Sequence, residues 1–256
     1  MSHPKSPHKY PACGCWLHFC NPMIAELVGV VGYDYAMIDM EHGAVGLDGV
    51  MPLIQAVQLG GARALVRIPE RDPRWVGRLM DLGADGVMVP MVRGVADARE
   101  LAAACVYAPV GTRGMAPAIV RASVYGAEME SYMERYRKDF QLIVQIETLQ
   151  AADEAREIAE VDGVDVVFIG PFDLSAAAGF PGEPDHPEVR RRISDIAGTV
   201  RAAGKVLGGI PTAESDIATL FGQGYDLVLG GFDTAMIREA MQANVATHRA
   251  SMGESG

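Results

Sequence analysis

From Pro73 to Pro90 the chain reads PRWVGRLMDLGADGVMVP, and this stretch contains one complete structural unit. Its first part, Pro73 to Asp81, has helical spacing with a proline in the first turn, where the missing N–H does no harm. Its last part, Gly86 to Pro90, is a short apolar run typical of a buried strand. The connection LGADG places a glycine just past the helix, where the left-handed conformation can end it. The stretch therefore predicts a helix, a short turn and a strand.

The same connection recurs at 161–165 and 222–226, and the unit repeats along the whole chain. The candidate strands are Ala12–His18, Tyr35–Met40, Ala64–Arg67, Gly86–Pro90, Leu142–Ile146, Val164–Ile169, Val206–Ile210 and Leu227–Leu229. The first candidate helix begins at Asn21-Pro22. The others are Leu47–Gln58, Pro73–Asp81, Val95–Ala104, Ala151–Ala159, Pro187–Ala203, Ala213–Gln223 and Thr234–Arg249. Strictly alternating strands and helices predict parallel pairing with right-handed crossovers.

Eight such units in 256 residues have the dimensions of a (β/α)8 barrel, the TIM barrel, whereas a doubly wound sheet of this length usually has fewer strands. We therefore predict an α/β fold with one barrel domain over 1–256. Residues 1–10 are expected to form a flexible N-terminal tail. The segment Tyr107 to Asp139 is too long for a simple connection, and is either a functional loop with an additional helix, Met129 to Tyr136, or a further strand.

Composition excludes several classes of protein. The formal net charge of −11 makes nucleic acid and anionic membranes poor partners, because both would be repelled. No stretch has the length and apolarity of a membrane helix, and no signal peptide is evident, so a cytoplasmic location is expected. Cys13, Cys15 and Cys20 lie close to His18, but their spacing lacks the paired pattern of a zinc site, which favours a role in the core.

Several ionisable residues follow the candidate strands at their C-terminal ends, where the active sites of these barrels lie. Glu147 and Asp173 are 26 residues apart, one unit, and are expected on neighbouring strands. Two carboxylates so placed repel unless a cation lies between them, and oxygen ligands suit Mg²⁺ or Mn²⁺. The alternative is a structural pair held by arginine or by backbone amides.

Two further residues are candidates for catalysis. His42 lies three residues after Asp39, and is either a general base made more basic by that carboxylate or the cap of the following loop. Arg67 ends an apolar strand and either binds a substrate carboxylate or an enolate oxygen, or forms an ion pair with Glu147 or Asp39. Lys205 falls at the start of its strand, on the opposite face, which disfavours imine chemistry.

Five motifs then occur in one order: DMEHG at 39–43, LVR at 65–67, GTRG at 111–114, QIET at 145–148 and FIGPFDLS at 168–175. With these motifs the chain resembles the HpcH/HpaI family of class II pyruvate-dependent aldolases, which have (β/α)8 barrels. The resemblance implies reversible cleavage of a 4-hydroxy-2-oxo acid to pyruvate and an aldehyde through a metal-stabilised pyruvate enolate. It implies a divalent metal, Mg²⁺ or Mn²⁺ with Co²⁺ possible, and no organic cofactor.

The resemblance also implies roles for individual residues. Glu147 and Asp173 match the metal carboxylates of the family. In the pyruvate site, Gln145 matches its glutamine and Arg67 the arginine that contacts the keto oxygen. The amides of Phe172 and Asp173 match the site of the pyruvate carboxylate.

The remaining implications concern proton transfer, the pocket wall and assembly. His42 with Asp39 matches the proton-transfer pair, and Trp16 an aromatic residue of the pocket. A homo-oligomer, a hexamer or trimer, is implied, with the C-terminal helix at 234–256 at its interface. The loop Gly43-Ala44-Val45 differs from the Ala-Pro-Asn of many sugar-acid members, which leaves the aldehyde open. The alternatives are a citramalyl- or malyl-CoA-type lyase and a non-catalytic barrel that binds 2-oxo acids.

Overall fold

The computed structural model describes residues 8–252 and shows a closed barrel of eight parallel strands in sequence order. The strands are β1 (Ala12–Leu17), β2 (Tyr35–Asp39), β3 (Arg63–Arg67), β4 (Gly86–Val89), β5 (Gln141–Ile146), β6 (Val166–Ile169), β7 (Val206–Gly209) and β8 (Leu227–Phe232). β8 pairs with β1 and closes the ring. The predicted (β/α)8 barrel is confirmed, with all eight strands near their expected positions.

Helices surround the barrel and connect successive strands. They are α1 (Pro22–Val30), α2 (Leu47–Gly60), α3 (Pro73–Asp81), α4 (Val95–Ala104), α5 (Met129–Arg135), α6 (Leu149–Asp153), α7 (Ala155–Ala159), α8 (Pro171–Ala177), α9 (Pro187–Ala202), α10 (Ile217–Gly222) and α11 (Asp233–Ser251). Asn21 caps α1 by accepting from the N–H groups of Met23 and Ile24, as its sequence pattern indicates.

Two helices differ from their predicted bounds for local reasons. The predicted helix Ala151–Ala159 is divided into α6 and α7 at Glu154, whose side chain leaves the helix surface to accept a hydrogen bond from Val95 N at 2.8 Å. The predicted helix Ala213–Gln223 begins only at Ile217, because Asp216 caps it through Thr219 N. The long segment from Tyr107 to Asp139 contains a short 3-10 turn, Arg121–Ser123, followed by α5.

The core has two layers, one inside the barrel and one between the barrel and the helices. The interior is filled by Ala12, Trp16, Tyr35, Met37, Leu65, Met88, Ile143, Val166, Phe168, Leu227 and Leu229. Because side chains alternate along a strand, the next inward position on β2, β3 and β5 falls at the strand's C-terminal end. Those positions carry Asp39, Arg67 and Gln145, all buried.

The first and last described segments contact the barrel differently. The predicted tail, 1–10, lies outside the described residues up to position 7, whereas the Tyr10 hydroxyl accepts a hydrogen bond from the Gln141 amide at the N-terminal end of the barrel. At the other face α11 leaves the barrel, and its side chains are exposed from Arg238 to Ser251. Within residues 8–252, no helix is both long enough and apolar enough to cross a membrane.

Candidate active site

Arg67 and Asp39 form the rigid centre of the barrel mouth. They are direct register partners on β3 and β2, and the guanidinium donates to both carboxylate oxygens, Nε to Oδ1 at 2.8 Å and Nη2 to Oδ2 at 2.6 Å. Both side chains are buried, so this two-point contact holds the arginine in one orientation. The ion pair that the sequence offered as an alternative role for Arg67 is therefore present.

Two further contacts fix the plane of the Arg67 guanidinium. Its Nη1 lies 2.9 Å from Glu41 Oε2, and its Cζ lies 4.5 Å from the centre of the Trp16 ring. Trp16 itself is buried and donates its indole N–H to Leu229 O, so it supports the arginine from below. Three of the five guanidinium N–H groups point at carboxylates of the described chain, which leaves one on each terminal nitrogen for a ligand.

Glu147 and Gln145 form the second part of the site, after β5. Glu147 Oε1 accepts from Met91 N at 2.6 Å, and its Oε2 accepts from Gln145 Nε2 at 2.5 Å. Gln145 Oε1 is buried and has no hydrogen-bond partner in the described part of the chain. A buried carbonyl in this state requires a ligand or water donor. A Cβ on Gly170 would lie 2.6 Å from both Gln145 Nε2 and Glu147 Oε2, so only glycine leaves room for this pair.

The two buried carboxylic acids of the site, Glu147 and Asp39, have pKa values that are shifted in opposite directions. Burial, together with repulsion from Asp173 and Glu41, raises the pKa of Glu147 to about 8. Burial acts on Asp39 in the same direction, but the hydrogen bonds from His18 and Arg67 outweigh it and hold its pKa well below the usual range. Asp39 is thus a permanent anion paired with cations, whereas Glu147 has a deficit of positive charge around it.

A divalent cation fits this deficit. Glu147 and the exposed Asp173, in the first turn of α8, repel each other, and both offer the hard oxygen ligands that Mg²⁺ and Mn²⁺ prefer. The unpartnered Gln145 Oε1 could accept from a water held by such an ion. Among residues 8–252, no three His, Cys, Asp or Glu side chains converge as metal ligands. Two carboxylates with waters or substrate completing the shell are sufficient for Mg²⁺.

The histidines are arranged differently from the predicted pair. The His42 side chain is 64% exposed, and its Nε2 lies 3.9 Å from Glu41 Oε2. The imidazole next to Asp39 is that of His18, whose Nε2 lies 3.2 Å from Asp39 Oδ2. His18 was not among the predicted site residues. The alternation along β1 could have found it, because His18 follows the inward-facing Trp16 by two positions.

The other residues singled out in the sequence lie at the rim, at the far end of the barrel or in its wall. Phe172 is 48% exposed beside Asp173, so their amides lie at the mouth, and the predicted carboxylate position there stays a prediction. Lys205 donates to Val164 O at the opposite end of the barrel, as expected. Cys15 is buried, Cys13 and Cys20 are half-buried, and all three are free thiols.

A buried arginine beside carboxylates at the mouth of a parallel barrel is a candidate enzyme site that binds a small anion and stabilises the negative charge that develops on it. The model of the HpcH/HpaI aldolase/citrate lyase family matches residues 12–240, and the chain belongs to this family. The chain is therefore a carbon–carbon lyase of the aldolase type.

Individual relatives agree with this assignment. The chain is 35% identical over 236 residues to a hydroxypyruvate/pyruvate aldolase of Chromohalobacter salexigens, covering 92% of each chain. It is 36% identical over 249 residues to a 4-hydroxy-2-oxo-heptane-1,7-dioate aldolase of Salmonella heidelberg, covering 96% of this chain and 94% of the relative. The crystal structure of an HpcH/HpaI aldolase/citrate lyase family protein from Burkholderia cenocepacia superposes with a TM-score of 0.87 at 29% identity, covering 93% of this chain and 95% of that one.

Proposed function

We propose that the protein is a divalent-metal-dependent aldolase that reversibly cleaves a 4-hydroxy-2-oxo acid to pyruvate and an aldehyde. The observation that carries this proposal is that the fixed Arg67 guanidinium and Glu147, whose negative charge lacks a nearby cation, lie at the same mouth of the barrel. Such a site recognises a small anion with adjacent oxygens. The names of the two aldolase relatives include pyruvate and a 4-hydroxy-2-oxo acid, which supports the same substrate class.

Glu147 and Asp173 are the residues that would hold the cation. When bound, Mg²⁺ or Mn²⁺, with Co²⁺ a further possibility, would supply Lewis-acid stabilisation of the negative charge on the 2-oxo acid. The raised pKa of Glu147 supports this assignment, because a cation would favour its charged form. The arrangement needs no organic cofactor.

Arg67 would bind the oxygen on which charge develops during cleavage. Asp39 and Trp16 hold the guanidinium in place before substrate arrives, so its remaining N–H groups need no reorganisation in the transition state. Gln145 would orient the substrate through its unpartnered Oε1 or through a water. The pyruvate half of the reaction is thus assigned to buried, rigid groups.

Proton transfer is assigned to His42 at the rim. As general base, its imidazole would remove the 4-hydroxyl proton, the C3–C4 bond would break to release the aldehyde, and the electron pair would pass to the pyruvate enolate. Asp39 is committed to Arg67 and His18, so His42 acts without the predicted Asp39 contact and beside Glu41 instead. With 64% of its side chain exposed, His42 is accessible to a substrate that enters the mouth.

The first test is exchange of the pyruvate methyl protons in D₂O, followed by NMR, which needs no knowledge of the aldehyde. We expect exchange with added Mg²⁺ or Mn²⁺ and none with EDTA. Hydroxypyruvate is tested in parallel, followed by an aldehyde screen. Absence of exchange with every metal would contradict the proposal and favour a binding protein. A thermal shift with pyruvate would then measure that binding.

The CoA-lyase alternative needs cations for the phosphates of CoA. The basic cluster that the sequence offers, Arg190 to Arg192, is already occupied: Arg190 pairs with Glu214, and Arg191 and Arg192 both pair with Glu188. The structure therefore favours a free 2-oxo acid over an acyl-CoA.

We also propose that the protein is a homo-oligomer, a hexamer or trimer, built through α11. The helix is exposed from Arg238 onward, yet it carries Met241 and Val245 on its surface. Exposed apolar residues also lie on α1, including Met23 and Val30. Exposed apolar side chains on two helices of one chain offer contact sites for a second copy.

A further inference from the structure

His18 lies between two buried carboxylates at the end of β1. Its Nε2 is 3.2 Å from Asp39 Oδ2, and its Nδ1 is 3.6 Å from Asp233 Oδ1. The ring stacks on Trp16 and on Phe232, each with a centroid distance of 6.1 Å. The His18 side chain is 22% exposed, so the imidazole is fixed by its neighbours and still reaches the mouth.

The neighbours of the ring dictate its protonation. A ring nitrogen that faces a carboxylate is favourable only when it carries a proton, because a lone pair there would be repelled. Both nitrogens of His18 face carboxylates, so the imidazolium is the form that the surroundings select. Asp233 cannot turn away, because it also accepts from the N–H groups of His18, Phe19 and Thr234.

The protonated His18 ring affects Arg67 through the carboxylate that the two share, Asp39. A carboxylate has about four acceptor positions. Asp39 receives two donors from Arg67, one from the Glu41 N–H and one from His18. His18 is thus the fourth donor, and with it the carboxylate has no freedom to rotate away from the arginine.

We propose that His18 is a positioning residue whose imidazolium locks Asp39 to Arg67, so that the site binds 2-oxo acids fully only while His18 is protonated. The inference rests on the proposed function for its effect on activity. It assigns a pH-dependent role to a residue outside the predicted proton-transfer pair.

The charged and titratable groups around this cluster come from every neighbouring element. They are Asp39 on β2, Glu41 after β2, Arg67 on β3, Asp233 on α11 and Cys20 after β1. The Asp233 and Asp39 carboxylates raise the pKa of His18 to about 9, against the effect of burial. Burial and both carboxylates raise the pKa of Cys20 to about 11, so this thiol remains neutral when His18 titrates.

Loss of the proton changes two things at once. One ring nitrogen then presents a lone pair to a carboxylate, which displaces the ring or Asp39. The cluster of Arg67, His18, Asp39, Asp233 and Glu41 also becomes more negative by one charge, which weakens binding of an anionic substrate. Both effects act on Arg67, which Asp39 holds in place.

The test compares wild type with His18→Gln, which keeps a neutral donor and removes the titration. The readout is kcat/KM for pyruvate methyl-proton exchange between pH 6 and pH 10, taken as the ratio of the two proteins, so that shared pH effects cancel. We expect a ratio of about tenfold at pH 7, the size of one charge-assisted hydrogen bond, falling towards one above pH 9. The change should lie mainly in KM for pyruvate. A ratio that is independent of pH would overturn the proposal.

A matched control is His186→Asn, at a half-buried histidine that caps α9 through Glu188 N and is not part of the His18 cluster, with asparagine retaining the cap. This variant should follow wild type at every pH. Because His18→Gln could fail to fold, ¹³C-labelled histidine in wild type provides an independent measurement. His18 should titrate at about 9, and titration near the ordinary 6.5 would overturn the proposal.

The Arg67 Nε–H signal separates this proposal from the proposed function. If no metal supports exchange, the aldolase proposal fails, but the NMR experiments still decide the role of His18. The Arg67 signal should be sharp below pH 8 and broaden as His18 loses its proton. A signal that stays sharp through that titration would show that Asp39 and Arg67 need no support from His18.

Discussion

Glu147→Gln should stabilise the metal-free protein while abolishing its response to metal. Glu147 is 2% exposed, and its pKa is raised from 4.5 to about 8 in the folded protein. A carboxylic acid with a raised folded pKa destabilises the fold as pH rises from its unfolded to its folded value. The neutral amide removes that penalty. It can still accept from Met91 N, and the Gln145 amide can turn its unpartnered oxygen to accept from the new N–H.

The size of the effect follows from the difference between the assay pH and the pKa of 4.5 in the unfolded chain. At about 1.4 kcal/mol per pKa unit, the penalty at pH 7 is on the order of 3 kcal/mol, and it nearly vanishes close to pH 4.5. For a chain of this size, that corresponds to a rise in Tm of roughly 6–12 °C. The gain should therefore be small at pH 5 and should increase steadily up to pH 8.

Thermal unfolding in EDTA, followed by circular dichroism from pH 5 to pH 8, measures this difference. Glu134→Gln, an exposed change on α5, is the matched control and should leave Tm unaltered at every pH. Adding Mg²⁺ should raise Tm for wild type and not for Glu147→Gln. A Tm difference that stays constant across this pH range would refute the reasoning, because it would show that Glu147 carries no unusual charge penalty.

Three further outcomes are expected. Arg67→Lys should lower kcat/KM for pyruvate exchange by about a hundredfold, since lysine cannot make the two-point contact with Asp39, and a loss smaller than threefold would argue against the fork. Gly170→Ala should weaken Mg²⁺ binding at least tenfold in calorimetry, because its Cβ would displace the Glu147 carboxylate; unchanged affinity would remove Glu147 from the metal shell. Deleting the chain after Arg238 should lower the oligomer mass in light scattering, whereas an unchanged mass would place the interface elsewhere.

The barrel was predictable because its signals are local. Alternation of apolar strands with capped helices, and the glycine after α3, depend on residues that are neighbours in sequence. The strand ends that carry Arg67 and Glu147 were predictable for the same reason, since period-two alternation determines which side chain faces inward. The bounds of α10 were not, because the chain has several capping residues there and Asp216 is the one that the fold uses.

The arrangement of partners was decided only by the closed barrel. The sequence places His42 three residues from Asp39, yet the imidazole in contact with Asp39 is that of His18, directly after β1, because β1 and β2 are adjacent in the ring. Asp233 reaches the same imidazole because β8 closes on β1, bringing together residues more than two hundred positions apart. Sequence alone therefore specifies which chemical groups face the mouth, through local periodicity. Which of those groups touch, and hence which are charged, depends on strand adjacency around the barrel, a long-range property that no local pattern contains.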